Sequence, residues 1–390
     1  MTPPNSATGP LHGPAASAGR ADGDGHRLTE RPGTTYAAAG VDVEAGDRAV
    51  ELMKSAVSAT HNANVVGGVG GFAGMFDASF LKDYDRPLLA SSTDGVGTKV
   101  AIAQQMSIHD TIGWDLVGMV VDDIIVGGAK PLFMTDYIAC GKLVPERIAD
   151  IVRGIAEACR EADVALVGGE TAEHPGLLGE DEYDVAGAAT GVVDAADMLG
   201  AQKVQNGDVL IGLPASGLHS NGYSLVRRII EDAGWDLHSR IDEFGRTLGE
   251  ELLVPTRVYT GQLLELLDNQ PGAVHAMSHV TGGGLSANMA RVLPTGSIGI
   301  MRRSTWEVPP VFNVLGDLGG VPQADRERTW NMGVGMVLVV DADRVDDVLG
   351  SFSGSWVLGE VAEDNGQHSS DSYYVTGAKG VDGGAAILLD

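Results

Sequence analysis

Apolar positions along this chain switch repeatedly between two patterns. One is a short continuous run; the other recurs every three or four residues. A run of four to eight apolar residues bounded by turn residues reads as a buried strand. Such runs occur at Leu88–Thr93, Pro131–Ala139, Val164–Val167 and Asp184–Val193, then at Val209–Leu213, Gly333–Val340 and Trp356–Val361. Helical spacing predicts helices over Gly46–Ser58, Thr111–Gly127, Pro145–Ala162, Gly222–Ala233, Leu285–Leu293 and Ala342–Leu349. Strands alternating with helices predict a mixed α/β class. After GAQKVQNGD (Gly200–Asp208), which reads as linker and turn, the alternation starts again. The chain therefore divides near residue 200, into 36–200 and 201–390. Residues 1–35 are rich in Pro, Gly, Ala and Ser, without an apolar period or the apolar stretch of a signal peptide. They read as a disordered extension, because they bury too little surface to offset the entropy of ordering.

Length and composition narrow the class. A chain of 390 residues suits two domains with separate cores. Its 55 glycines imply many tight loops. Two cysteines, Cys140 and Cys159, cannot build a disulfide framework, which fits a reducing cytoplasm. No run of eighteen apolar residues is present, so no membrane span is expected. Lys and Arg number 26 against 53 Asp and Glu, a net charge of −27. Such a surface argues against nucleic acid or anionic membrane as the main partner. It still admits a small anionic substrate, since backbone N–H groups of a glycine-rich loop bind phosphate whatever the global charge.

Candidate chemistry begins at SSTDGVGTK. Asp94 ends an apolar strand, where open sheets commonly bind ligands. Gly95 and Gly97 permit close backbone approach, and Thr98 and Lys99 follow within reach of a phosphate. Spacing alone leaves a second reading equally open, a tight turn with Asp94 capping a helix. A second acidic set interrupts the apolar helix HDTIGWDLVGMVVDDIIVGGAKP. Asp115 and Asp122 lie seven apart and share a helix face. Asp122 and Asp123 are flanked by Val and Ile, a costly setting unless they are paired or bind a cation. Gly168-Gly169 reads as a turn after the short strand Val164–Val167, with Glu170 leaving it, and Asp136 sits inside the apolar strand LFMTDYIA. Carboxylates at the ends or interiors of apolar elements point to a divalent-metal nucleotide site.

The second half offers two glycine-rich turns, each leading into a helix. LPASGLHSNGYSLVRRII brings Ser216, Gly217, His219, Ser220 and Asn221 to one loop; HVTGGGLSANMARVL brings Thr281, Gly282, Gly283 and Gly284 to another. Free N–H groups at a helix start make anion sites, and simple helix capping explains either loop equally well. His219 is a candidate acid–base group, although a loop histidine is more often an ordinary hydrogen-bonding residue.

Taken in order, YAAAGVDVEAGD, GGVGGFAG, STDGVGTK, HDTIGWDLVGM, GAKPLFMTDYIACGKL, LVGGETAEHPG, YDVAGAATGVV, SGLHSNGYSLVR, LLVPTRVY, HVTGGGLSANMARVLP and NMGVGMVLVV resemble the phosphoribosylformylglycinamidine cyclo-ligases of purine biosynthesis. The resemblance covers about residues 36–362. It implies an N-terminal α/β domain whose strands join a second subunit's in a barrel, and a C-terminal domain with a sheet covered by helices. It implies a homodimer using ATP and Mg²⁺ to close the ring of formylglycinamidine ribonucleotide.

Carried over by motif, Asp94, Asp123 and Glu170 become the expected Mg²⁺ ligands. Lys99 becomes a phosphate contact and His219 a catalytic candidate. The segment Gly67–Gly74, with Gly67, Gly68, Gly70 and Gly71, becomes the loop closing over the nucleotide. Asp94, Gly95, Gly97, Thr98, Asp115 and Asp136 join the nucleotide site, and Ser216–Asn221 with Thr281–Gly284 the substrate site. The chain departs from the family's usual Asn-Asp at Asp122-Asp123, and from its usual Glu at Lys130. Related readings fit less well. Selenophosphate synthetases usually carry Cys or selenocysteine in the glycine-rich loop, and thiamine-monophosphate kinases lack the S-G-x-H-S-N-G pattern in this form. The large glutamine-dependent amidotransferase is usually much longer. A non-catalytic nucleotide-binding scaffold is disfavoured by the set Asp94, Lys99, Asp123 and Glu170.

Overall fold

A computed structural model of the chain describes residues 42–371, 373–377 and 383–390, so the expected extension 1–35 lies outside the described residues. The first helix, α1 (Val43–Ser58), starts where the Asp42 side chain accepts the Ala45 N–H. A four-stranded sheet follows, built from β1 (Pro87–Gly95), β2 (Lys130–Cys140), β3 (Ala165–Glu173) and β4 (Tyr183–Asp194) in the order β1-β4-β2-β3. Strand β4 runs antiparallel to β1 and β2, and β2 runs parallel to β3. The carboxyl ends of β1, β2 and β3 therefore share one edge of the sheet. Expected turn residues Gly168 and Gly169 prove to be strand, in register with Thr135 and Asp136. Local composition could not reveal this, because the partner strand supplies the hydrogen bonds.

Helices α2 (Thr111–Ile125) and α3 (Pro145–Glu161) cover one face of this sheet. They cross closely, since a Cβ on Gly113 would fall 2.0 Å from the Ile155 nitrogen. The other face is open, with Leu89 64% and Tyr137 42% exposed. Among the described residues this sheet closes no barrel within one chain.

The second half carries a seven-stranded sheet. Its strands are β5 (Val209–Pro214), β6 (Val274–His279), β7 (Ser297–Arg302), β8 (Val334–Val340), β9 (Trp356–Glu363), β10 (Tyr374–Thr376) and β11 (Ala385–Leu389). Their order is β6-β8-β5-β9-β7-β11-β10. Helices α4 (Tyr223–Ala233), α5 (Thr260–Asn269), α6 (Gly284–Val292) and α7 (Pro310–Leu318) belong to this half. One apolar core runs through both halves, joining Val117, Val120 and Ile155 to Val226, Ile229, Phe312 and Trp330. Burying that surface against a common helix welds the halves together. That helix is α2, with twelve of its fifteen residues buried.

Candidate active site

The sequence places Asp115, Gly118 and Asp122 on one helix face, and the structure turns that face toward the second half of the chain. Asp115 accepts from Lys99 Nζ at 2.8 Å, from the Thr256 N–H at 2.9 Å and from Thr256 Oγ1 at 2.6 Å. Gly118 leaves room for Thr256, whose Cγ2 would lie 2.7 Å from a Cβ there. Asp122 accepts from the N–H groups of Tyr259 and Thr260 and from Thr260 Oγ1, the last at 2.7 Å, and so binds the start of α5. Burial pushes the Asp122 carboxyl up to about 6, opposed by His279 and these donors.

Two expectations are corrected here. Asp115 is no nucleotide ligand, because it is wholly buried and committed to Lys99 and Thr256. Lys99 is no phosphate contact. Its buried ammonium donates to Asp115, to the His219 carbonyl at 2.9 Å and to the Val254 carbonyl at 2.8 Å, which uses all three of its protons. Desolvation pushes Lys99 down and Asp115 up, and each offsets much of the other's cost.

His219 sits in the interior. It is 1% exposed, its backbone has the left-handed φ of 59°, and its Nε2 accepts the Ser216 N–H at 3.2 Å. Burial, with the charges of His279, Lys99 and Arg257, holds its pKa well below the ordinary value. Its Nδ1 is buried and finds no hydrogen-bond partner among the described residues.

Around these struts the expected loops do meet. Ser220 Oγ donates to the Val96 carbonyl at 2.6 Å, and Thr98 Oγ1 lies 3.2 Å from Ser224 Oγ. Ser216 Oγ donates to the Pro255 carbonyl, and the Gly217 carbonyl accepts from Asn331 Nδ2. Asn221 lies beside Gly282, where a Cβ would come 3.6 Å from its Oδ1. The segments beginning at Asp94, Ser216 and Thr281 thus converge at the junction of the two halves.

Asp123 faces this junction. Its Oδ1 is 2.9 Å from His279 Nδ1, with the Asp123 side chain 44% and the His279 side chain 2% exposed. Burial works to lower the His279 pKa, but the Asp123 hydrogen bond and the charges of Asp122 and Asp94 raise it. Burial pushes Asp94 up, and the charge of Asp123 adds to this. A cavity of about 230 Å³ opens beside the pair, lined by Asp123, Ser278, His279, Thr281, Asn288 and Arg291 among others. Sequence reasoning missed Ser278, Asn288 and Arg291 as cavity residues. His279 was visible beside the glycine turn, but its pairing with Asp123 spans 156 positions.

The glycine-rich loop lies elsewhere. Gly68, Gly70 and Gly71 line a second cavity of about 270 Å³ between α1 and the sheet, together with Asp136 and Gly168–Thr171. Gly67 precedes it with a φ of 94°. Asp94, Gly187, Asp136 and Gly169 form one row across the four strands, and α2 sets Leu116 over Gly187 in that row. Glu170 pairs with Tyr137, one residue out of the row and on the opposite face. Three strand spacings, roughly 14 Å, separate it from Asp94. Among the described residues no group of three or more His, Cys, Asp or Glu is placed to hold a metal. The expected trio Asp94, Asp123 and Glu170 is therefore not assembled within one chain.

Family models match the two halves in turn: the N-terminal domain of AIR synthase related proteins over residues 76–193, and their C-terminal domain over residues 205–371. A curated Desulfitobacterium hafniense phosphoribosylformylglycinamidine cyclo-ligase is 51% identical over 346 residues, 87% of this chain and 99% of that protein. The chain belongs to the phosphoribosylformylglycinamidine cyclo-ligase family. A second family member, from Alkaliphilus oremlandii, is 47% identical over 84% of this chain and 97% of its own. The fold extends to more distant proteins. Escherichia coli HypE superposes with a TM-score of 0.58 at 19% identity, covering 83% of this chain and 91% of its own. Thiamine-monophosphate kinase from Stenotrophomonas maltophilia gives 0.56 at 17% identity, over 80% and 93%.

The two departures from the family's usual residues acquire physical roles. Asp122 points into the second half and binds the start of α5. Lys130 is on the surface and pairs with Asp163 Oδ2 at 3.3 Å.

Proposed function

We propose that this chain closes the imidazole ring of aminoimidazole ribonucleotide, consuming ATP and formylglycinamidine ribonucleotide and releasing ADP and phosphate. The supporting observation is 51% identity over 99% of a relative bearing the cyclo-ligase name. In the reaction the formyl amide oxygen attacks the γ-phosphorus and ADP leaves, giving an iminophosphate. An amidine nitrogen then attacks that carbon, the carbon–oxygen bond breaks, phosphate departs and the attacking nitrogen loses a proton. An amide oxygen leaves poorly and a phosphate leaves well, so ATP supplies the driving force. The protein's share is alignment of two anionic reactants and stabilisation of charge on the transferring phosphoryl group.

Asp94 and Asp123 at the junction suit one Mg²⁺, an ion commonly held by one or two carboxylates plus substrate phosphates. When bound, it would neutralise phosphate charge. Thr98, Ser220, Asn221 and the turn Thr281–Gly284 are assigned to orienting the ribonucleotide, with N–H groups at the start of α6 for its phosphate. The His279 ring, fixed by Asp123, stands ready to orient a substrate group. A homodimer is part of this reading, supported by the open sheet face with exposed Leu89 and Tyr137, and so is a cytoplasmic setting.

The test is ATP-dependent formation of aminoimidazole ribonucleotide from formylglycinamidine ribonucleotide with Mg²⁺, comparing wild type with Asp123→Asn. Turnover by wild type that is lost in the variant supports both reaction and site. Absence of turnover from folded wild type that still binds ATP overturns the reaction.

A further inference from the structure

We infer that the groove between α4 and the short helix Val100–Met106 is a second ligand site, which takes a nucleoside monophosphate with its phosphate on Arg227 and its base on Trp235. The groove lies outside the acidic junction where the cyclo-ligase reading puts its reactants, and its residues argue for a ligand independently of that reading.

Helical spacing builds the groove. Along α4 one face buries Tyr223, Val226 and Ile229 in the core. Another carries Ser224, Arg227, Arg228 and Glu231, three and four residues apart, so they form one stripe. The helix Val100–Met106 buries Ile102 and leaves Gln105 exposed, and both border the same space. Trp235 and Leu237, which follow the left-handed Gly234 that ends α4, complete the lining. The enclosed volume is about 580 Å³, over apolar side chains of Ile102, Ile230 and Leu237 that are themselves buried.

Several donors in this lining are unused. Arg227 is exposed and its guanidinium makes no hydrogen bond or ion pair among the described residues. The Gln105 amide and the Trp235 indole N–H are also without partners among them. Arg228 differs, since its Nε donates to Asp232 Oδ2 at 2.8 Å and its Nη1 lies 3.8 Å from Glu231 Oε2. Glu231 is the one acid among the described lining residues, and it is drawn to Arg228. Two guanidiniums therefore face one carboxylate, in a chain whose net charge is −27. A locally positive concave site on an acidic surface selects an anion.

The rest of the lining says what the anion is attached to. A free guanidinium matches two oxygens of a phosphate monoester. Trp235 offers an aromatic ring to a base, a contact worth about 1–3 kcal/mol. Between them Ser224 and Gln105 offer a hydroxyl and an amide to a sugar. The volume falls within the range of about 300–1,000 Å³ typical of sites for whole small molecules. Inorganic phosphate alone would leave Trp235 and the apolar floor uncovered, and a nucleoside alone would leave Arg227 unanswered. The groove meets the junction only at Ser224, whose Oγ is 3.2 Å from Thr98 Oγ1. Competition by the ribonucleotide reactant is therefore the discriminating measurement.

The experiment is calorimetric titration of the full chain with guanosine monophosphate, guanosine and inorganic phosphate, repeated with saturating formylglycinamidine ribonucleotide. Wild type is compared with Arg227→Ala, Arg227→Lys and Trp235→Leu. Guanosine monophosphate is expected to bind wild type at least about tenfold more tightly than guanosine or phosphate. Arg227→Ala should lose about tenfold or more, and Arg227→Lys, which keeps the charge without the fork, should fall between. Trp235→Leu keeps apolar bulk without the ring and should lose about fivefold or more. Formylglycinamidine ribonucleotide should leave the affinity unaltered. The assignment is overturned if guanosine monophosphate does not bind, or if Arg227→Ala or Trp235→Leu binds it as wild type does. Displacement by formylglycinamidine ribonucleotide would also overturn it, by making the groove part of the junction. Arg227 is exposed and unbonded, so its variants keep the fold and carry the test by themselves if Trp235→Leu is destabilised. Binding is read without turnover, so failure of the cyclo-ligase reaction would leave this site standing.

Discussion

The Lys99 ammonium lies 2.8 Å from Asp115 Oδ1, and neither side chain is exposed to solvent. The pair ties the loop after β1 to α2, and through Thr256 and the Val254 carbonyl to the second half of the chain. Breaking such a pair from one side leaves a buried charge without compensation. Lys99→Met should therefore destabilise the protein by roughly 3–5 kcal/mol, and Lys99→Met with Asp115→Leu should recover much of that. Urea midpoints of the two variants check this, and a single variant as stable as wild type would deny the pair its role as a strut. Activity lost in Lys99→Met must accordingly be read beside its unfolding midpoint.

Asp122 satisfies the N–H groups of Tyr259 and Thr260 at the start of α5. Asp122→Ala should cost about 1–3 kcal/mol, since it orphans several buried donors. Asp122→Asn keeps an acceptor and should cost less than about 1 kcal/mol. Equal thermal shifts for the two variants would contradict the capping role.

Asp123 is partly exposed and bonded to His279 at the junction. Asp123→Asn should lower kcat/KM by at least about a hundredfold, in the range seen when one charge-stabilising group is removed. Stability should move by less than about 1 kcal/mol, because the side chain is half solvated. Steady-state kinetics beside a melting curve separates the two, and a variant that fails by unfolding would refute the split.

Asp136 makes stability depend on pH. Burial pushes its folded carboxyl up to about 7 from the ordinary 3.8, so between these values the native chain holds the extra proton. Stability from this group is complete below about pH 4 and falls as pH rises through 7. Asp136→Asn removes the titration, so the variant's advantage over wild type should grow across that window, by at most about 4 kcal/mol. Parallel stability–pH curves for the two proteins would be the wrong outcome.

Gly169→Ala should drive a methyl into the Asp136 carboxyl, which a Cβ would approach to 2.1 Å. Combining it with Asp136→Gly should restore part of the lost stability, a non-additivity expected of residues in contact. Simple addition of the two effects would show that the clash relaxes elsewhere.

Local pattern carried much of this protein. The strands at Leu88, Pro131, Asp184 and Val209, and the helices at Gly46, Thr111 and Pro145, were legible because each buries one face and its spacing repeats. The motif order carried the family. Gly168-Gly169 was misread as a turn, since two glycines look alike in a loop and in a strand whose partner supplies the bonds. Asp115 and Asp122 were rightly placed on one helix face, but the sequence does not say what that face meets. It meets Thr256, Tyr259 and Thr260, more than 130 positions away.

The sequence by itself therefore determined the elements, the α/β class and the membership of the family, because these follow from short-range periodicity and from residue types in a fixed order. Only the tertiary structure decided which acids and bases are free to act. Lys99, Asp115, Asp122 and His219 look as chemical as Asp94, Asp123 and Asp136, yet the first four are wholly buried and bonded, while Asp94 is half-buried and Asp123 and Asp136 each line a cavity. Burial and pairing set the reactivity of a charged group, and both are properties of neighbours that the chain brings together only on folding.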